Sequence, residues 1–319
     1  MKEYVIGIDI GGTFTKTGFV DREGNIFAEN SSPTDPFDSV DVYLYNLVKE
    51  LKEAEKKLEE PYKIVGIGIG APNGNYHKGT IEQATNLKWK GIIPFTDMMK
   101  EHYDLPIKLT NDANAAALGE KIYGGAKNLN NFVMITLGTG LGSGIVVNGD
   151  LVYGHDGFAG EQGHVNVVEN GRLCGCGNHG CLETYASAPG IKRTVFELLA
   201  KDTKGSELVN YTFDELDSEI IFNAAKKNDP IALKAFEETG KTLGKHLADT
   251  VALFSPSTIF VFGGLAKAGD YIIKPTKKWM EHFVMGLFKN KVKIEPSKLI
   301  GKNVAVLGSS ALIWNELDK

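Results

Sequence analysis

The chain has 319 residues, of which 42% are hydrophobic and 24% charged; this excludes a disordered or coiled-coil protein and leaves room for about two domains. Lys plus Arg number 35 against 40 for Asp plus Glu, a net charge of −5, which argues against a nucleic-acid partner held by a basic face. No apolar run reaches 18 residues, and the N-terminal apolar run carries Lys2, Glu3 and Asp9 rather than a signal-peptide layout, so no membrane partner is expected and the expected location is cytoplasmic.

In chain order, residues 4–9 read as a buried strand that runs into Gly11-Gly12-Thr13. A second strand follows at 16–20 and a third at 26–29. Over 39–60 the apolar stripe of Val40, Tyr43, Leu44, Leu47, Val48, Leu51, Ala54 and Leu58 predicts a helix that Pro61 ends. A strand at 64–70 carries glycine at 66, 68 and 70, and another at 106–110 leads into Asn111-Asp112-Ala113-Asn114 and an alanine-rich helix. A second strand–glycine–strand unit opens at 132–137, passes through Gly138-Thr139-Gly140 and continues to Val147. With an offset of 127 it lies over the first, a weak internal repeat of two glycine-tipped hairpins. Asp229-Pro230 reads as a helix N-cap with Pro at the first helical position. A strand at 258–262 ends in Gly263-Gly264, and a strand at 303–307 is expected before a C-terminal helix. Mixed strands and helices with hairpin openings predict two α/β domains with mixed sheets.

The two hairpin tips offer backbone N–H groups at turns that no Cβ shields, so they are candidate cradles for nucleotide phosphates; ordinary turns are the other reading. A Rossmann pattern would need glycine at Ser143, and a Walker loop fails because Gly240 and Gly244 enclose three residues rather than four. Asp9, at the end of the first strand, is placed to hold Mg²⁺ directly or through water; alternatively it bonds to loop N–H groups.

All three cysteines fall within eight residues. His164, Cys174, Cys176 and Cys181 make a four-ligand set for Zn²⁺ with no open position, hence a structural ion. Glu161 and Glu183 flank this set, where a metal-pinned loop would hold both carboxylates rigidly for a polyhydroxylated ligand. Asp112 sits where a strand meets a helix, and two readings stand: an ordinary N-cap, or a general base for a hydroxyl that attacks a phosphoryl group.

D-I-G-G-T at 9–13, N-D-A-N at 111–114, L-G-T-G-L-G at 137–142, E-x-G-H at 161–164, C-x-C-G-x-x-G-C-x-E at 174–183 and G-G at 263–264 occur in this order along the chain. Together they resemble the ROK family of repressors and sugar kinases. The resemblance implies a two-domain α/β, actin/hexokinase-like (ribonuclease H-like) fold with an interdomain cleft. The domains expected from it are a smaller one, 1–113 plus 302–319, and a larger one, 114–301, with the zinc loop. It implies Asp112 as catalytic base and Asn86, Asn111, Asp112, Glu161, His164 and Glu183 as sugar ligands, with Thr85 beside them. Gly11, Gly12, Thr13 and Lys16 take the role of first phosphate contact, with Asp9. Gly138, Thr139 and Gly140 are the second, and Gly263 and Gly264 the adenosine contact. His164, Cys174, Cys176 and Cys181 take the role of zinc ligands.

The implied activity is ATP-dependent phosphorylation of the 6-hydroxyl of a hexose, glucose first. N-acetylmannosamine, N-acetylglucosamine, mannose, fructose and allose are the alternatives. The implied cofactors are ATP, Mg²⁺ and structural Zn²⁺, and the implied assembly is a homodimer. A sugar-sensing regulator is the remaining reading; with the first hairpin strand starting by residue 4, no DNA-reading segment is expected ahead of it. One departure from the family pattern stands out: Asn73 separates Pro72 from Gly74 in a loop on the sugar side.

Overall fold

The computed structural model describes residues 1–299 and 303–319. In chain order the elements are β1 (Lys2–Ile10), β2 (Phe14–Val20), β3 (Ile26–Pro33), α1 (Val40–Glu55), β4 (Tyr62–Gly70), β5 (Gly74–Asn75), β6 (Thr80–Glu82), β7 (Ile92–Ile93), α2 (Phe95–Lys100), β8 (Ile107–Thr110) and α3 (Asp112–Tyr123). They continue with β9 (Phe132–Leu137), β10 (Leu141–Val147), β11 (Asp150–Leu151), α4 (Ala188–Leu199), α5 (Ser218–Lys226), α6 (Pro230–Phe254), β12 (Thr258–Phe262), α7 (Asp270–Phe283), β13 (Lys293–Pro296) and α8 (Val304–Leu317). The chain divides into two compact units, Met1–Leu129 with Asp150–Ala159 and Lys298–Lys319, and Asn130–Gly149 with Gly160–Ser297. The division expected at 113/114 falls inside α3, and the one at 301/302 lies outside the described residues.

In the first unit the sheet order is β3-β2-β1-β4-β8. β1 and β2 form the expected antiparallel hairpin, while β1, β4 and β8 run parallel. Parallel strands end on the same side, so the C-terminal ends of β1, β4 and β8 form one row, with Asp9 paired to Gly70 and Gly70 to Thr110. The alternating glycines of β4 have a packing cause. A Cβ on Gly68 would strike the carbonyl of Ser309, and one on Gly66 the side chain of Ile313, so α8 lies directly on this face. Gly119 of α3 and Gly308 of α8 allow the same close approach. The Ser309 hydroxyl accepts from the N–H of Gly70 at 3.1 Å, which fixes the end of β4.

The strand expected at 303–307 is instead the start of α8. Asn303 caps it, its side chain accepting from the N–H of Val306 at 3.4 Å. Residues 304 and 306–314 are all buried, so the short apolar run carried no period that could separate helix from strand. The helix expected over 39–60 ends at Glu55.

In the second unit β10-β9-β12-β13 run in that order, with β9/β10 antiparallel and β9/β12/β13 parallel. This repeats the pattern of the first unit, as the hairpin repeat predicted. α6 and α7 pack together where Gly240 and Gly244 of α6 meet Pro275, Thr276 and Met280 of α7, which is the structural reason for those two glycines.

Candidate active site

In the first unit, Asp9, Gly70 and Thr110 pair across the C-terminal ends of β1, β4 and β8, and Asp112 follows Thr110 by two residues as the first residue of α3. At about 4.8 Å per strand the backbones of Asp9 and Thr110 are roughly 10 Å apart. A Cβ on Gly70 would sit 3.0 Å from Ser309 Oγ and 3.5 Å from Asp9 Oδ1, so this glycine lies between α8 and the Asp9 carboxyl. Burial, reinforced by the negative charge of Asp112 and opposed by Lys16 on the paired strand, pushes Asp9 up to about 7. Asp112 is raised too, through burial, against hydrogen bonds from its own N–H and that of Ala113. The residue as a whole is exposed, and it is the protein atoms crowded around the carboxyl that raise its pKa. Repulsion disfavours charging both groups at once.

The capping question resolves against Asp112. The N-cap of α3 is Asn111, 6% exposed, whose Oδ1 accepts from the N–H of Asn114 at 2.7 Å. Asp112 occupies the first helical position, where its Oδ1 accepts from the N–H of Ala113 at 2.9 Å. A negative charge there also gains from the helix dipole.

The Gly11–Phe14 turn closes on itself through Gly11 N–H to Phe14 O at 3.0 Å, so the first N–H of the loop is used internally, contrary to the sequence expectation. Gly138 N–H likewise donates to Gly140 O at 3.0 Å. Among the described residues, the N–H groups of Gly12, Thr13, Thr139 and Gly140 have no protein acceptor. Gly12 lies against the backbone of Asn86, where a Cβ would come within 2.6 Å of its carbonyl, so the Thr85–Asn86 segment and the first hairpin tip are neighbours. Lys90, which sequence reasoning passed over, holds that segment by donating to the carbonyls of Ala84 at 2.9 Å and Thr85 at 3.0 Å.

In the second unit the other predicted residues gather. Thr136 of β9 pairs with Phe262 of β12, so Gly138 and Gly263 leave the same end of parallel strands. Gly263, at φ 107°, packs where a Cβ would meet the backbone of Leu137. A Cβ on Gly140 would meet Glu183 Oε2 at 2.7 Å, so this carboxylate borders the second glycine turn.

The donor atoms of His164, Cys174, Cys176 and Cys181 all lie within 4.8 Å of one another. Cys174 Sγ is 3.6 Å from His164 Nδ1, and Cys176 Sγ is 3.7 Å from Cys181 Sγ. A tetrahedral ion with Zn–S of about 2.3 Å and Zn–N of about 2.05 Å would set these separations near 3.5 and 3.8 Å, so the donor set fits such an ion. The Cys176–Cys181 separation is far beyond a disulfide bond of about 2.05 Å. His164 turns its second nitrogen, Nε2, toward Glu161 at 3.9 Å. Glu183 Oε1 accepts from the Cys174 thiol at 2.9 Å.

Sequence reasoning also missed what backs this cluster. Gln162, between Glu161 and Gly163, is buried, and its Oε1 accepts from Thr250 at 2.8 Å and lies 3.2 Å from His246 Nε2, both on α6. Eighty-odd residues separate these partners in sequence, and neither end carries a local signal. Arg172, beside the first cysteine, has no motif status of its own either.

The arrangement is similar, end to end, to proteins of known kind. A family model described as ROK family matches residues 5–316. The glucokinase of Streptomyces coelicolor is 34% identical over 312 residues, 96% of this chain and 96% of that one. The xylose repressor of Bacillus subtilis is 29% identical over 316 residues, covering 97% of this chain and 77% of the repressor. A solved structure of a ROK family glucokinase from Streptomyces griseus, in complex with glucose and AMPPNP, matches with a TM-score of 0.79 at 32% identity, over 97% of this chain and 98% of that one. The fold is therefore the two-domain α/β, actin/hexokinase-like (ribonuclease H-like) one. With the motifs in their expected order, the four-donor cluster formed and the match running through both units, the chain belongs to the ROK family.

Proposed function

We propose that this protein transfers the γ-phosphoryl group of ATP to the 6-hydroxyl of a hexose, with glucose the preferred acceptor. The observation that carries the reading is Asp112, a carboxylate at a helix N-terminus that Asn111 relieves of capping. Asp112 accepts the hydroxyl proton late in the transfer, because a loose phosphoryl transition state needs positioning more than a strong base. Burial holds its pKa above the ordinary carboxylate range, so it takes up a proton more readily than a solvated carboxylate. Asn111 gives its carbonyl oxygen to the helix, which leaves its amide N–H groups to donate to a sugar oxygen. Glu161, His164 and Glu183 bind further hydroxyls, and Asn86 adds an amide.

The N–H groups of Gly12, Thr13, Thr139 and Gly140 donate to phosphate oxygens, with Lys16 adding a positive charge. Gly263 and Gly264 contact the nucleoside, Gly264 having open space where a side chain would stand. Asp9 is the residue to hold Mg²⁺, which when bound neutralises charge on the phosphates. His164 through Nδ1, with Cys174, Cys176 and Cys181, holds Zn²⁺, whose contribution is to order the loop. As a thiolate, Cys174 no longer donates to Glu183, and that frees the carboxylate for sugar hydroxyls. Four protein donors leave no position for a reacting atom.

The test is a panel of hexoses with ADP release coupled to detection. Glucose is expected to give the highest kcat/KM. A higher value for an N-acetylated hexose would move the substrate, in keeping with the Asn73 insertion near the sugar-side loop. No hexose-stimulated ADP release would refute the function.

A further inference from the structure

Arg172 stands two residues before Cys174 and outside every motif, yet its side chain is only 11% exposed. A guanidinium has five N–H donors, and here all five are used. Nε and Nη2 fork onto Glu197 of α4 at 2.8 Å each. Nη1 donates to the carbonyl of Thr184 at 2.7 Å and to that of Gly190 at 3.0 Å. Nη2 also donates to Thr194 Oγ1 at 2.9 Å. The guanidinium lies 4.4 Å over the ring of Tyr185, whose hydroxyl accepts from the backbone N–H of Arg172 at 2.9 Å.

These bonds tie three places together: the entry to the cysteine loop, the residue after Glu183, and α4 from Gly190 to Glu197. A salt bridge to half-exposed Glu197 alone would be worth little. The bonds to two carbonyls and a buried threonine make the difference, since no side chain but Arg offers this planar fork; Lys has three donors and a point charge. Residues 173–183, which carry three metal donors and Glu183, are thus closed at both ends by one side chain.

We propose that Arg172 is a positioning residue that sets the geometry of the cysteine loop and of Glu183 for metal and hexose binding, an inference that rests on the reading of this loop given above. Arg172 bonds to neither glycine turn nor to Asp112; its side-chain partners are Thr184, Gly190, Thr194 and Glu197.

The test compares Arg172→Met and Arg172→Lys with wild type, all loaded with zinc. Partners that orient metal ligands typically contribute about 10–100-fold to metal affinity. Zinc release to a chelating dye is therefore expected to rise by about that factor in both variants. The KM for hexose should rise by about tenfold or more while the KM for ATP stays within about twofold, and Lys should not rescue. Hydrogen exchange over 173–183 should speed up, and over β1 and β4 should not. The proposal is overturned by wild-type zinc release with unchanged hexose KM, by full rescue with Lys, or by equal changes in both KM values together with general loss of stability. Exchange requires neither activity nor sugar. A wild type that phosphorylates no hexose therefore sinks the proposed function, while exchange still decides whether Arg172 holds the loop.

Discussion

Replacing Asp9 by Asn makes the raised pKa of this carboxyl measurable. The Asp9 carboxyl holds its proton up to about 7 in the folded protein, against an ordinary value of 3.8. The folded state therefore binds this proton more tightly than the unfolded state. The associated stability is full below pH 3.8 and is lost as pH rises through about 7. At 1.36 kcal/mol per pKa unit the whole effect is at most about 4 kcal/mol, and the partial exposure of Asp9 reduces it to about 2–4 kcal/mol. At pH 5 about a third of the loss has occurred; by pH 8 nearly all of it has. Asn cannot titrate. The stability of Asp9→Asn relative to wild type should therefore increase by about 1–3 kcal/mol between pH 5 and pH 8 in metal-free and nucleotide-free protein. Urea unfolding at both pH values, followed by circular dichroism, reads this as a change in the difference between midpoints. The same difference at both pH values, or a smaller one at pH 8, would refute the account of Asp9 as a desolvated carboxyl beside Asp112.

Asp112→Ala should lower kcat by at least about 10²-fold while hexose still binds, measured by steady-state kinetics and by hexose-dependent quenching of intrinsic fluorescence. Near-normal turnover removes Asp112 from the role of base. Stripping the metal, or introducing Cys176→Ser, should abolish hexose binding yet leave most of the helical and strand structure, because only the loop gains the order that the ion supplies. Unchanged hexose affinity in protein shown to be metal-free contradicts this.

The hairpins, the glycine-tipped turns and the cysteine cluster were legible because each announces itself within a dozen residues: an alternation ending in glycine, or donors at ligand spacing. The alternating glycines of β4 were visible too, but their cause was not, since α8 arrives from more than 230 residues away to lie on Gly68. Residues 303–307 were misread as a strand because a helix buried on nearly every side shows no period. At 111–112 the sequence reading attached capping to Asp112, whereas Asn111 caps α3; which residue takes the cap depends on where the backbone turns helical, and side-chain type does not show that. The return of Asp150–Ala159 to the first unit left no trace in composition; its anchor is Asn75, whose Nδ2 donates to Asp156 O at 2.8 Å. The braces behind the cluster, Arg172 and the Gln162–Thr250–His246 group, depend on partners from α4 and α6, so no local pattern marks them.

The measurement closest to the central claim is ³¹P NMR of the reaction with Mg²⁺, ATP and glucose, run beside 6-deoxyglucose. The account predicts one phosphomonoester signal, assigned to the 6-phosphate and growing in step with ADP, and none from the 6-deoxy sugar although that sugar competes with glucose for binding. Phosphorylation at another hydroxyl, or ADP formed equally without any sugar, would contradict it.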